Sequence, residues 1–354
     1  MSGGKRMAIG AAALAAGAVV VGLVVLGGRP GGSSVGGPAA WTAEQRGYIA
    51  ERHDAAAEMI DHAEFGQARV LLEQLIDRFP KDAAGHGLLA QVYFAMGRED
   101  KALEAASRAV ELDPAQAGAA DLAGILSEGR GDVEKASRLY AAAVEARPAS
   151  PKYRLQLANA LLKLDRLDEA EAEAVRALSL DPTLPLGHAV LGYAARRRDD
   201  DGEAADRFRV ATRLAERPRR RLAWSIELAR SLRAQGEAGA AEAINVLMSL
   251  PEDWRSSERE ITAELARAQA ARGRHADAAG AWRTWLNANP DDADAAARAG
   301  RAYLEAAERA EAPDMRQAYL AAAEQFHQRG SAIDAKHPRV IELGDALAGS
   351  DNGQ

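Results

Sequence analysis

Cysteine is absent from this 354-residue chain, and that removes disulfides, thiolate metal sites, cysteine nucleophiles and a lipid-attachment cysteine at one stroke. Aromatic residues are also scarce, at 5%. Beyond residue 40 there is no run of valine and isoleucine of the kind a buried sheet requires. Phosphate loops ending in Gly-Lys-Ser/Thr, a Gly-x-Ser-x-Gly elbow and a His-Glu-x-x-His pair are all missing. Seven histidines are scattered. Glu58 and His62 share one helical face, but two ligands are too few for zinc. The run "RDDDGE", Arg198 to Glu203, lacks the alternate spacing of a calcium loop and reads as a solvated turn. We therefore expect no enzyme, no cofactor and no metal.

What remains is alanine, leucine and charge, the composition of a helical protein. One segment differs. Residues 7–26, "MAIGAAALAAGAVVVGLVVL", carry no charge, and as a helix would span about 30 Å, one hydrocarbon core. Lys5 and Arg6 precede it, which predicts a cytoplasmic N-terminus and a chain that crosses outward. A cleaved signal peptide is the alternative, although its apolar region is usually shorter. Residues 27–40 are nearly all Gly, Pro, Ser and Ala and read as a flexible linker. Residues 1–40 hold Lys5, Arg6, Arg29 and no acid, which leaves 42 basic and 52 acidic residues, a formal −10, for the rest. So acidic a body argues against nucleic acid as a partner.

The stretch "SRAVELDPAQ", from Ser107, returns as "VRALSLDPTL", from Val175. Pro80, Pro114, Pro148 and Pro182 stand 34 residues apart. With each proline at position 32, the repeats begin at 49, 83, 117 and 151. Position 20 is then Ala68, Ala102, Ala136 and Ala170, and position 8 is Ala56, Ala90, Gly124 and Ala158. Bulky residues tend to fill position 11, and Gly97 and Gly131 stand at position 15. Small residues at 8 and 20 let two helices approach closely, glycine at 15 ends the first, and proline ends the second. Looser copies follow from about 185, 222 and 259, the sixth with Ala241 at position 20 and the seventh with Trp282 and Trp285 as core. The last copy, opening at "ARAGRAYLEAAE", closes at Pro338 with 14 extra residues, and residues 339–348 read as a short capping helix.

This pattern resembles the tetratricopeptide repeat (TPR) family over about residues 44–340. The resemblance implies an all-α solenoid of about eight helical hairpins, and stacking is required because one hairpin cannot bury its own apolar face. The expected organisation is a cytoplasmic N-terminus at 1–6, a transmembrane anchor at 7–26, a linker at 27–40, the repeat array at 41–348 and a disordered tail at 349–354.

In such arrays the first helices line a groove whose contacts fall at fixed repeat positions. Carried over by position, these are Gln91, Phe94, Ile125, Asn159, Lys163, Tyr193, Arg196, Arg197, Arg230 and Arg233. Asn159 and Lys163 suit a grip on a peptide carboxylate, but Asp121 and Glu128 stand where an amide or base would be wanted. The arginines predict an acidic extended segment as partner, and reversal of Arg197 and Arg230 is expected to weaken capture while leaving melting unchanged. Between 196 and 221 lie ten arginines and six acids, either a solvated surface or a docking patch for an acidic partner or an anionic headgroup.

The function implied is a membrane-anchored scaffold for protein–protein interaction on the extracytoplasmic side. Abundant alanine, arginine and glycine suggest a bacterium, with the body in the periplasm and the anchor in the inner membrane. The alternative is an accessory subunit of an envelope system for cytochrome c maturation, pilus assembly or outer-membrane assembly.

Overall fold

The structure, a computed structural model, describes residues 41–351. They form helices, with no strand among the described residues. The chain divides into two compact units at Asp181/Pro182.

The N-terminal unit holds four hairpins. These are α1 (Ala43–Asp61) with α2 (Phe65–Arg78), α3 (Ala83–Ala95) with α4 (Glu99–Leu112), α5 (Ala117–Gly129) with α6 (Val133–Ala146), and α7 (Pro151–Lys163) with α8 (Leu167–Leu180). Each second helix stops two residues before its proline, with Phe79, Asp113, Arg147 and Asp181 as C-caps. The first helix is opened by a capping box between Thr42 and Gln45.

The C-terminal unit holds four more hairpins. They are α9 (Pro185–Arg197) with α10 (Asp201–Leu214), α11 (Pro218–Ala234) with α12 (Glu237–Met248), α14 (Arg259–Ala271) with α15 (His275–Ala288), and α16 (Ala293–Glu308) with α17 (Pro313–Asp334). A six-residue helix, α13 (Glu252–Ser257), interrupts the series, and the sequence reading missed it. Helix α17 takes up much of the 14-residue excess by running to 22 residues. The terminal α18 (Pro338–Asp351) is longer than the capping helix expected, and it covers Gly300 with Leu343.

Position 20 is closed to solvent in the four strict repeats and in the looser fifth copy. Ala68, Ala102, Ala136, Ala170 and Ala204 are all 0% exposed. Position 8 is matched to the residue it faces. A methyl group on Gly124 would stand 2.5 Å from the Tyr140 ring, and one on Gly192 would stand 3.1 Å from Phe208. Both aromatics are at position 24 and fully buried, and each such ring contributes about 2–3 kcal/mol on burial. In hairpins with Ala56, Ala90 or Ala158 at position 8, position 24 is Leu72, Ala106 or Ala174. The seventh hairpin departs from this matching, with Ala266 and Trp282 in one cluster.

The sixth hairpin corrects the sequence register. Gly236 has φ 93° and ψ −159°, a region essentially reserved for glycine, and α12 begins at the next residue. The turn is one residue shorter than its counterparts, so Ala240, not Ala241, is the fully buried residue. Trp282 and Trp285 are core, as read from the sequence, at 4% and 7% exposure. Asp200 caps α10 by accepting from the Glu203 amide, so "RDDDGE" is a helix-opening turn.

No described helix is long and apolar enough to cross a membrane. The apolar run at 7–26 lies outside the described residues.

Candidate binding face of the first helices

In the N-terminal unit, Gln91, Phe94, Ile125 and Asn159 are half-buried on first helices, and Lys163 is exposed. Phe94 packs partly against a hydrophobic cluster of the unit, and Ile125 is partly exposed on α5. Its neighbours Leu122 and Leu126 are buried in that cluster.

Asn159 and Lys163 do not wait for a foreign carboxylate. Glu128 accepts from Lys163 Nζ at 2.5 Å, from Asn159 Nδ2 at 3.4 Å and from the Tyr140 hydroxyl at 2.8 Å. An internal carboxylate thus holds the place the sequence reading offered to a peptide. Burial, and next Glu128, push the Tyr140 hydroxyl far above the usual phenol range. A second pair joins Asp121 Oδ2 to Lys152 Nζ at 2.7 Å. Burial raises the Asp121 carboxyl although Lys152 opposes it, and its other oxygen, Oδ1, has no hydrogen-bond partner.

In the C-terminal unit, Tyr193 lies edge-on against Phe208 at 4.9 Å between ring centres. Arg196 pairs with Glu227. Arg230 reaches three carboxylates, Glu227 at 2.7 Å, Glu264 at 3.5 Å and Glu260. Arg233 and Arg267 close on Glu264 at 2.7 and 2.8 Å. Glu264 is 0% exposed. Burial works against its charge, but hydrogen bonds and charge from Arg233 and Arg267 outweigh that and hold the carboxyl below the usual range. Arg197 is exposed.

The structure therefore brings Arg196, Arg230 and Arg233 together, but as one side of an ion-pair network. The acids were missed in the sequence, although a signal was there. Asp121 with Lys152, Glu128 with Asn159, Arg196 with Glu227 and Arg233 with Glu264 each stand 31 residues apart. That separation carries a residue to the adjoining first helix, so a search for opposite charges at this offset finds Glu227 and Glu264. Reversing Arg230 is therefore expected to lower the melting temperature, unlike the outcome expected from the sequence. Arg230 compensates a buried carboxylate, and removing such a partner is costly.

No group of three or more His, Asp or Glu among the described residues is placed to hold a metal ion.

The tetratricopeptide repeat family model matches residues 51–125 and 129–192. No curated protein matches the sequence. Among solved structures, a crystal structure of MamA is 17% identical and covers 47% of this chain and 90% of its own, with a TM-score of 0.42. YrrB, described as a TPR protein with an unusual peptide-binding site, is 19% identical over 59% of this chain and 99% of its own, with a TM-score of 0.44. A structure of Naa15/Naa10 bound to HypK-THB is 17% identical over 82% of this chain and 43% of its own, with a TM-score of 0.43. The family match, the strict 34-residue register and the buried position-20 alanines agree over one stretch: residues 51–192 are similar to tetratricopeptide repeats.

Proposed function

We propose that this protein is a scaffold anchored in a bacterial inner membrane by residues 7–26, with its repeats on the extracytoplasmic side, where they dock an extended segment of a partner protein. Lys5 and Arg6 before an uncharged twenty-residue run support the anchor and its direction. The observation that carries the docking face is Ile125. It is a large apolar side chain on a first helix that keeps part of its surface in solvent. Gln91, Phe94 and Asn159 occupy the equivalent faces of α3 and α7 and add an apolar contact and two amides able to pair with a partner's backbone.

The arginines of the C-terminal unit have a different part. Arg196, Arg230 and Arg233 are matched by Glu227, Glu260 and Glu264, so an acidic segment binds there only by exchanging with these internal carboxylates. Such exchange favours selectivity and salt sensitivity over affinity.

The test is Ile125→Asp. It should abolish partner capture in detergent extracts of membranes while the helical circular-dichroism signal stays at the wild-type level. Capture at the wild-type level would remove Ile125 from the binding face. Direction is tested separately, by a C-terminal reporter active only in the cytoplasm, which should be silent.

A further inference from the structure

The arginine-rich stretch from 196 to 221 is sorted by the structure into two populations. Arg196 is committed to Glu227, Arg207 to Glu203, and Arg209 to Asp206 and Glu242. Arg221 donates to the Ala215 carbonyl at 2.8 Å and ties the turn together. Arg213, Arg217, Arg219 and Arg220 are exposed, and their side chains have no acidic or hydrogen-bonding partner among the described residues. Four uncompensated guanidinium groups within eight residues, against the single acid Glu216, stand out on a body of formal charge −10. Partial burial, and next the neighbouring cation Arg217, both work against the charge of Arg220.

Their placement narrows what they fit. Arg213 is in the last turn of α10, Arg217 caps α11, and Arg219 and Arg220 follow in its first turn, which has no acid. Successive residues there are about 100° apart around the axis. The three at α11 therefore ring the helix end and do not converge on one point. They cannot close together on a single carboxylate, whereas a surface of many laterally mobile anions can meet all of them. Cations in a first turn also oppose the helix dipole. The sequence thus breaks a local rule with no internal compensation, which is a mark of a functional surface.

We propose that the α10–α11 corner rests on an anionic lipid surface, its arginines engaging phosphodiester headgroups. This rests on the anchored reading above, which supplies the membrane. Guanidinium suits the task because its donor fork matches phosphate and is only weakly hydrated.

The experiment uses the full chain. Because it has no cysteine, Glu216→Cys provides one labelling point beside the arginines. The labelled protein is reconstituted into vesicles of phosphatidylcholine alone, or with about one-third phosphatidylglycerol, each carrying a headgroup quencher. Quenching should be about tenfold greater on the anionic vesicles, since each arginine near such a surface contributes severalfold. It should fall as salt rises toward the short screening lengths of high ionic strength. The triple reversal Arg217→Glu, Arg219→Glu and Arg220→Glu should return it to the phosphatidylcholine level. That variant places acids where the helix dipole favours them, so its melting temperature should hold or rise, and lost quenching cannot be ascribed to unfolding.

Equal quenching on the two compositions, or quenching that survives the reversal, would overturn the proposal. A label that answers to added polyglutamate but not to anionic vesicles would also overturn it, and would make the corner a protein site. Flotation with phosphatidylcholine vesicles reports the anchor by itself. A chain that fails to float there, yet is quenched on anionic vesicles, loses the anchor and keeps the corner.

Discussion

At the residue scale, position 15 shows how strongly the repeat dictates backbone conformation. Gly97, Gly131 and Gly273 turn there with φ of 71°, 84° and 69°. Ala63, Asp165 and Asp199 occupy the same position in other hairpins and adopt φ of 59°, 60° and 58°. Aspartate tolerates this region, but alanine gains nothing from it. Ala63→Gly should therefore stabilise the N-terminal unit by about 1 kcal/mol, read as a higher denaturation midpoint. Gly124→Ala should do the reverse. Helix propensity favours alanine by about 1 kcal/mol, but the new methyl group meets the Tyr140 ring at 2.5 Å. Overpacking of this kind costs about 1–3 kcal/mol, so the net effect is destabilising. Titration separates two buried carboxyls. Glu264 is held below its unfolded value, so its contribution is present above the ordinary carboxylate range and is lost as pH falls through the folded value. Asp121 is raised, so its contribution is present below its unfolded value and is lost as pH rises through the folded one. Acid unfolding of Glu264→Gln should accordingly lose part of its pH dependence, while Asp121→Asn should steepen the fall in stability toward low pH.

At the element scale, the hairpins were legible because two backbone demands and two packing demands recur at fixed positions. Proline after the second helix, a left-handed residue after the first, and small residues at 8 and 20 are local and periodic, so one chain displays them repeatedly. Three departures were not legible. The short turn at Gly236 keeps its glycine and hides the loss of a residue from any reading that counts forward from it. Helix α13 follows Pro251 in a stretch with no counterpart in the other hairpins. The ion-pair network was half legible: the groove arginines were named by position, but their acids lie at other positions of the adjoining helix. Gly239, in the first turn of α12, lies just past this short turn. A methyl group there would stand 2.0 Å from the Leu232 carbonyl oxygen, which is backbone and cannot swing away. Gly239→Ala should cost about 3 kcal/mol and lower the melting temperature, whereas the same change at Gly280, which meets nothing within 4 Å, should be neutral or stabilising.

At the scale of the whole molecule, the charge pattern is the organising fact. Residues 1–40 carry three bases and no acid, the rest of the chain is acidic, and Arg196, Arg230 and Arg233 direct their charge to internal carboxylates. What is left for a partner on the first-helix face is apolar contact and amide hydrogen bonding around Gln91, Phe94, Ile125 and Asn159. A direct measurement places a single cysteine at Gln91→Cys in the otherwise cysteine-free full chain, attaches a short photo-crosslinker and illuminates native membranes. Arg138→Cys, on the second helix of the third hairpin, serves as the comparison site. A discrete adduct should form from position 91, vanish when Ile125→Asp is added, and be absent from position 138. Equal adducts from both positions, or an adduct from position 91 that persists with Ile125→Asp, would contradict a docking face on the first helices.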